Sequence, residues 1–181
     1  MAEYRGSKRD RRATDRRRSW RAVGRLARGR PRPAPAPRAV EAGDSFRYIE
    51  TSALLAALLE KDPSARQAIR RKGHRITSAL TFAESTRSLV RARVSGQISP
   101  EQERAALRWL KSYRRRCDVI SITESVLVRA GRPYPAEPIR TLDAMHLASA
   151  EELGESPQLV TIVTRDARVR DNAHALGYPV G

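Results

Sequence analysis

A single cysteine in 181 residues, Cys117, excludes an internal disulfide framework and a cysteine-rich zinc site. It suits a reducing compartment, where a lone thiol most often serves as packing material. Long apolar runs are also missing. No stretch of about 18 apolar residues exists, so no transmembrane helix is expected. The N-terminus is basic but lacks the apolar core of a signal peptide. A cytoplasmic protein with no membrane partner is therefore expected. Acids are in short supply: 20 Asp+Glu stand against 36 Lys+Arg, leaving a net charge of +16. Such a balance favours polyanionic partners, nucleic acid first and an anionic membrane surface second.

What is present is a hydrophobic share of 40%, enough for the core of one ordinary domain. The charge is unevenly spread. Residues 1–46 carry 14 basic and 5 acidic side chains, against 22 and 15 in residues 47–181. The first segment contains RRATDRRRSWRAVGRLARGR and then PRPAPAPR, with almost no aliphatic pattern. It reads as a disordered basic arm whose Pro-Ala stretch is extended and semi-rigid. The arm could add non-specific RNA affinity through phosphate contacts, or be a solvated tail. The same Arg/Ala/Pro/Gly bias also fits a start assigned too far upstream. The folded domain is placed at 47–181.

Within the domain, FRYIETSA (46–53) reads as a strand running straight into the helical pattern LLAALLEKD. Asp62-Pro63 opens a second helix that stops at Gly73. HRITSA is a second strand and LTFAESTRSLVRARVSG a helix. Ser99-Pro100-Glu101-Gln102 has the signature of a helix start with a capping box. CDVISIT is a third strand, ESVLVRAG a short helix and GRPYPAEP a loop. IRTLDAMHLASAEELG is a helix for which Thr141 is the expected cap. QLVTIVT is a fourth strand, RDARVRDNAHALG the last helix, and YPV a candidate fifth strand. Strands alternating with helices imply an α/β fold with a parallel sheet covered on both faces. Ligands in such folds sit beyond the carboxyl ends of the strands, near a topological switch.

Four acids fall at those ends. Glu50 closes the first strand, Glu84 sits in the helix after the second, Asp143 opens the helix after the Pro-rich loop, and Asp166 follows the fourth strand. Taken singly, each has a bland reading: a solvated helix residue for Glu84, helix N-terminal acids for Asp143 and Asp166. Together, four carboxylates in one pocket require cations. An all-oxygen set favours Mg²⁺ or Mn²⁺ over zinc. Such ions polarise a phosphodiester, activate water and stabilise the leaving oxygen.

The motifs YIETSALLAALLE, TFAESTRSLVRAR, RTLDAMHLASA and VTRDARVRDNAHALGYPV resemble, in order and spacing, those of the PIN-domain family, and within it the VapC-type toxins. The resemblance covers about residues 47–180. It implies a Rossmann-like, five-stranded parallel sheet and Mg²⁺- or Mn²⁺-dependent endoribonuclease activity on an RNA substrate (tRNA, rRNA or mRNA). It implies metal-binding catalytic acids at Glu84, Asp143 and Asp166, supporting hydroxyls at Ser52 and Thr164, a homodimer, and a cognate VapB-like antitoxin. The early helices LLAALLE and AIRRKG are the partner surfaces it suggests. One departure is Glu50, where the family usually has Asp. Octahedral Mg²⁺ is strict about ligand position, so the alternatives are a catalytically weakened domain that binds RNA or protein, or a non-toxic RNA-processing nuclease.

Five secondary candidates accompany the acids. His146 shares a helix face with Asp143 and either approaches the scissile phosphate or packs with its nitrogens satisfied. Arg140 and Arg165 flank catalytic acids, as RNA contacts or as charge balance. Trp109 and Tyr113 are placed to stack on bases or to pack.

Overall fold

The computed structural model describes residues 45–181; the expected arm lies outside them except for its last two residues. Phe46 already belongs to the first strand, one residue earlier than the 46/47 boundary. Four strands form the sheet: β1 (Phe46–Ile49), β2 (His74–Ser78), β3 (Asp118–Ile120) and β4 (Val160–Val163). Their order is β3-β2-β1-β4, all parallel. The described helices are α1 (Thr51–Leu58), α2 (Pro63–Arg70), α3 (Ala79–Val94), α4 (Pro100–Arg114), α5 (Glu124–Ala130), α6 (Thr141–Glu151) and α7 (Ala167–Ala175).

Central β1 is buried along its whole length, and its side chains alternate between two cores. Phe46 and Tyr48 face one layer with Ile76, Val160, Ile162, Leu147, Val169 and Tyr178. Ile49 faces the other with Val163, Ala53, Leu54, Leu89 and Leu110. Arg47 is buried on that second side, where its guanidinium donates to the Ala68 carbonyl at 2.8 Å. Cys117 lies partly buried against the same layer, and burial pushes its thiol up to about 11. That is the behaviour of packing material rather than a nucleophile. At Gly73, φ is +128° and a Cβ would stand 2.6 Å from the Ser45 carbonyl oxygen, so only glycine fits the entry to β2.

Several boundaries differ from the sequence reading. The first strand stops at Ile49 and helix begins at Thr51, because the Glu50 carboxylate caps α1 by accepting from the Ser52 amide. The third strand shrinks to three residues at the sheet edge. Thr141 is the first helical residue of α6 rather than its cap; Arg140 holds the cap position without a side-chain hydrogen bond. The capping box at Ser99 and Gln102 forms as expected. The candidate fifth strand is reduced to a parallel bridge between Ile162 and Val180. Pro179 can accept from Ile162 but has no N–H to donate, so the ladder cannot extend. Among the described residues, no helix is long and apolar enough to cross a membrane.

Candidate active site

In a sheet ordered β3-β2-β1-β4 the connections reverse direction between β1 and β4, and the crevice opens beyond their carboxyl ends. Each expected acid is delivered to that edge by a different element. Glu50 follows β1, Asp166 follows β4 as the cap of α7, Asp143 lies in the first turn of α6, and Glu84 lies in α3 after β2.

The ends of β1 and β4 are tied together by hydroxyls. Glu50 Oε2 accepts from the Ser52 amide at 3.0 Å, from the Ser52 hydroxyl and from the Thr164 hydroxyl at 2.9 Å. Ser52 Oγ in turn accepts from the amides of Arg165 (2.7 Å) and Asp166 (3.1 Å). Thr164 Oγ1 accepts from the Asp166 amide at 3.0 Å. Ser52 and Thr164 therefore join the two acids, although they lie over a hundred positions apart in sequence. Asp166 caps α7 through one oxygen: Oδ1 accepts from the Arg168 and Val169 amides.

Asp143 is the electrostatically exposed member. Burial pushes its carboxyl above the usual range, and the charges of Asp166 and Glu50 push it further, against a smaller opposing pull from Arg140 and His146. Its Oδ2 is buried without a hydrogen-bond partner. An orphaned carboxylate oxygen next to two further carboxylates is costly in an empty pocket and is relieved by a cation. The residues present thus fit a divalent ion held by oxygen donors.

Glu84 is held differently. Burial disfavours its charge, but hydrogen bonds from His146 and Thr51 outweigh that cost and keep the carboxyl below its usual range. Thr51 Oγ1 donates to Glu84 Oε2 at 2.6 Å, and His146 Nε2 lies 2.8 Å from the same oxygen. Thr51 was not singled out by the sequence. Read as part of a strand, it has no reason to reach Glu84; as the first residue of α1 it does. His146 is 1% exposed, beneath the acids rather than open to a substrate, and both its ring nitrogens have partners. Arg140 is exposed at the cap of α6. Arg165 is engaged: its Nε lies 3.2 Å from Asp62 Oδ2 and its Nη2 donates to Ser64 at 2.6 Å, anchoring the start of α2. Trp109 and Tyr113 stack on each other, centroids 4.8 Å apart, with Tyr113 buried.

A cleft of about 460 Å³ opens over Glu50, Ser52 and Glu84 and runs along α3 past Arg87, Ser88 and Arg91. Arg93, Arg104, Arg129 and Arg165 are each paired with a carboxylate. Arg87 and Arg91, one and two turns from Glu84, are exposed, and among the described residues neither forms an ion pair.

A doubly covered parallel sheet with carboxylates converging at its switch point defines a class, and the comparison with known families agrees. The chain belongs to the PIN domain family, whose model matches residues 47–175. It is similar to Ribonuclease VapC46 of Mycobacterium tuberculosis, 36% identical over 135 residues that cover 74% of this chain and 94% of the relative. It is also similar to Ribonuclease VapC35 of the same organism, 36% identical over 137 residues, covering 74% and 93%. A solved structure of FitAB bound to an IR36 DNA fragment shares the fold, with a TM-score of 0.52 and 15% identity over 75% of this chain and 94% of that one.

Proposed function

We propose that this protein is a divalent-metal-dependent endoribonuclease and the toxin of a type II toxin–antitoxin pair. The observation that carries the reading is the unpartnered, buried Oδ2 of Asp143 beside Glu50 and Asp166, at the switch point of a PIN domain. Relatives named as ribonucleases, at 36% identity over nearly their whole length, support RNA as the substrate.

Glu50, Glu84, Asp143 and Asp166 would hold Mg²⁺ or Mn²⁺, which when bound supplies Lewis-acid polarisation of the phosphodiester and offsets charge on the leaving oxygen. The chain's own residues do the rest. Ser52 and Thr164 fix Glu50 relative to the β4 loop, so that two acids from separate strands keep one spacing. Arg87 and Arg91 line the cleft and hold flanking phosphates of the RNA. Arg140, beside Asp143, adds positive charge at the mouth. The partners in this reading are an RNA, a VapB-like antitoxin that covers the site and a second copy of the chain, in the cytoplasm. In this reading the nuclease domain begins at Phe46, after the strongly basic N-terminal stretch of the sequence.

Expression alone should arrest growth, and co-expression with the neighbouring antitoxin gene should relieve it. Purified protein should cut RNA with added Mn²⁺ or Mg²⁺ and stop in excess EDTA. Cleavage that persists in EDTA would sink the proposal. Arg87→Ala combined with Arg91→Ala should weaken RNA binding while leaving turnover at saturating RNA nearly intact. Loss of two phosphate contacts should flatten the slope of log affinity against log salt by about 1.4. An unchanged slope would remove both arginines from the RNA path.

A further inference from the structure

We propose that the exposed face of α2, backed by Arg47 and Arg75, is a second phosphate-binding surface that holds the RNA backbone away from the scissile bond. The proposal takes RNA as the ligand from the proposed function, but it does not depend on cleavage.

Arg47 and Arg75 are direct cross-strand partners in β1 and β2. Like charges in that position destabilise a sheet. Both side chains reach the C-terminal end of α2. Arg47 Nη2 donates to the Ala68 carbonyl at 2.8 Å, Arg75 Nε to that of Ile69 at 3.1 Å and Arg75 Nη2 to that of Arg70 at 3.4 Å. These bonds satisfy the last carbonyls of the helix, an end that carries about half a negative charge. Half a charge does not balance two guanidiniums, and Arg71 adds a third at the cap position. Among the described residues, no carboxylate forms an ion pair with any of the three. Arg47 is 6% exposed, and its Nε is buried without a partner. Burial, and after it the charge of Arg71, hold its pKa below the ordinary value for arginine; Arg75 adds to this and Tyr113 opposes it. A buried cation surrounded by cations is costly, and an anion at the surface above it offsets that cost.

The surface above is open. Arg70 and Arg71 are exposed and, with Pro63, Arg66 and Gln67, line a cleft of about 460 Å³. Arg66 and Arg70 lie one turn apart on one helix face. Arg66 Nε donates to the Ala57 carbonyl at 3.0 Å, which fixes that side chain against α1. The start of α2 is tied to the catalytic loop, since Asp62 and Ser64 bind Arg165, the neighbour of Asp166. Eight residues of helix span about 12 Å. The cleft therefore leads from the rim of the acidic site towards the end of the sheet where β1 and β2 begin. It is distinct from the cleft that Arg87 and Arg91 line on α3. Guanidinium forks match phosphate oxygens. The described lining of the α2 cleft holds no aromatic ring for a base to stack on, so it suits the backbone rather than the sequence of an RNA.

The test uses the full-length protein and a fluorescent RNA in EDTA, so that binding is read without cleavage. Arg70→Gln combined with Arg71→Gln should weaken binding and flatten the slope of log affinity against log salt by about 1.4, the value for two phosphates on a single strand. An unchanged slope would overturn the proposal. With Mn²⁺ present, the double variant should raise KM for a long RNA more than KM for an oligonucleotide confined to the catalytic cleft. An equal rise for both would place the two arginines at the catalytic cleft and overturn it. Arg71→Gln alone removes one like charge beside Arg47. It should melt higher than the wild type at low salt while binding RNA more weakly. A lower melting temperature would contradict the excess of charge and overturn the proposal. Inorganic phosphate should raise the melting temperature of the wild type more than that of the double variant. Phosphate binding with an unchanged RNA slope would make this a small-anion site and overturn the RNA assignment. A double variant that binds RNA normally but escapes the antitoxin would assign the face to a protein partner, with the same consequence. RNA bound with the expected slope yet never cut would overturn the proposed function and leave this inference standing. RNA cut by the wild type, with an unchanged slope in the variant, would do the reverse.

Discussion

Asp143→Asn should abolish RNA cleavage and growth arrest while making the metal-free protein more stable. The loss of activity follows from removing an oxygen donor whose Oδ2 has no other partner. Lewis-acid stabilisation by a bound ion is worth several kcal/mol, so the drop should be on the order of 10³-fold or more. The gain in stability has a separate origin. Burial first, and then the charges of Asp166 and Glu50, hold the Asp143 carboxyl above its usual range. A raised folded pKa means that the native state keeps a proton the unfolded chain gives up. This stabilising contribution is fully present below the unfolded value, about 3.9 for Asp, and is lost as pH rises through the folded value. At neutral pH the charge therefore works against the fold.

Asparagine removes the repulsion, so the metal-free variant should melt higher than the wild type at pH 7, and the difference should shrink towards pH 4. Metal should reverse the order. At about 100 times its Kd an ion adds about 2.7 kcal/mol to the native state. At about 2–4 °C per kcal/mol that is a rise of several degrees for the wild type, and little for Asp143→Asn. Calorimetry with and without Mn²⁺ measures both effects. A variant that melts lower than the wild type without metal would contradict the electrostatic reading of the pocket.

Glu50→Ala should damage both fold and function. The carboxylate caps α1 and accepts from the Ser52 and Thr164 hydroxyls in a buried setting. Losing a cap costs about 1 kcal/mol. Leaving buried donors without an acceptor costs about 1–3 kcal/mol more. Relief of repulsion with Asp143 offsets part of this, so a net loss of roughly 2 kcal/mol is expected, read as a lower urea midpoint at unchanged m. RNA cleavage should vanish with it. Glu50→Asp is the informative control. Asp is a strong N-cap, so the fold should survive. The longer side chain of Glu50 turns one carboxylate oxygen back onto the Ser52 amide, a contact that aspartate, as a strong N-cap, also makes. Cleavage by Glu50→Asp should therefore stay within about tenfold of the wild type, a difference of 1.4 kcal/mol. A much larger rise would show that glutamate weakens the site and would favour the binding-module reading.

How much of this was legible beforehand depended on range. The alternation of β-branched runs with 3.6-period segments placed the parallel sheet, because both signals are local. The capping box at Ser99 was readable for the same reason. Thr141 was misread as a cap because cap and first helical residue differ only in backbone angles set by the preceding loop. The fifth strand failed at Pro179, whose missing N–H limits pairing that the apolar character of YPV suggested. For Arg165 the sequence left an RNA contact and charge balance open; in the fold Asp62 and Ser64, about a hundred residues away, bind its guanidinium.

The sequence by itself determined which chemistry the protein can host: acids at the phases of the βα pattern that deliver them to one edge, hydroxyls at positions 52 and 164, and a basic surround. Only the tertiary structure decided how those groups are used. It set Glu50 and Asp166 under shared hydroxyls, left Asp143 with an unpartnered oxygen, and sank His146 between Tyr48 and Glu84. The physical reason is that periodicity fixes which face a side chain takes. Hydrogen-bond partners, burial and pKa depend on what other segments bring to that face, and those segments meet only when β4 pairs with β1 in the sheet.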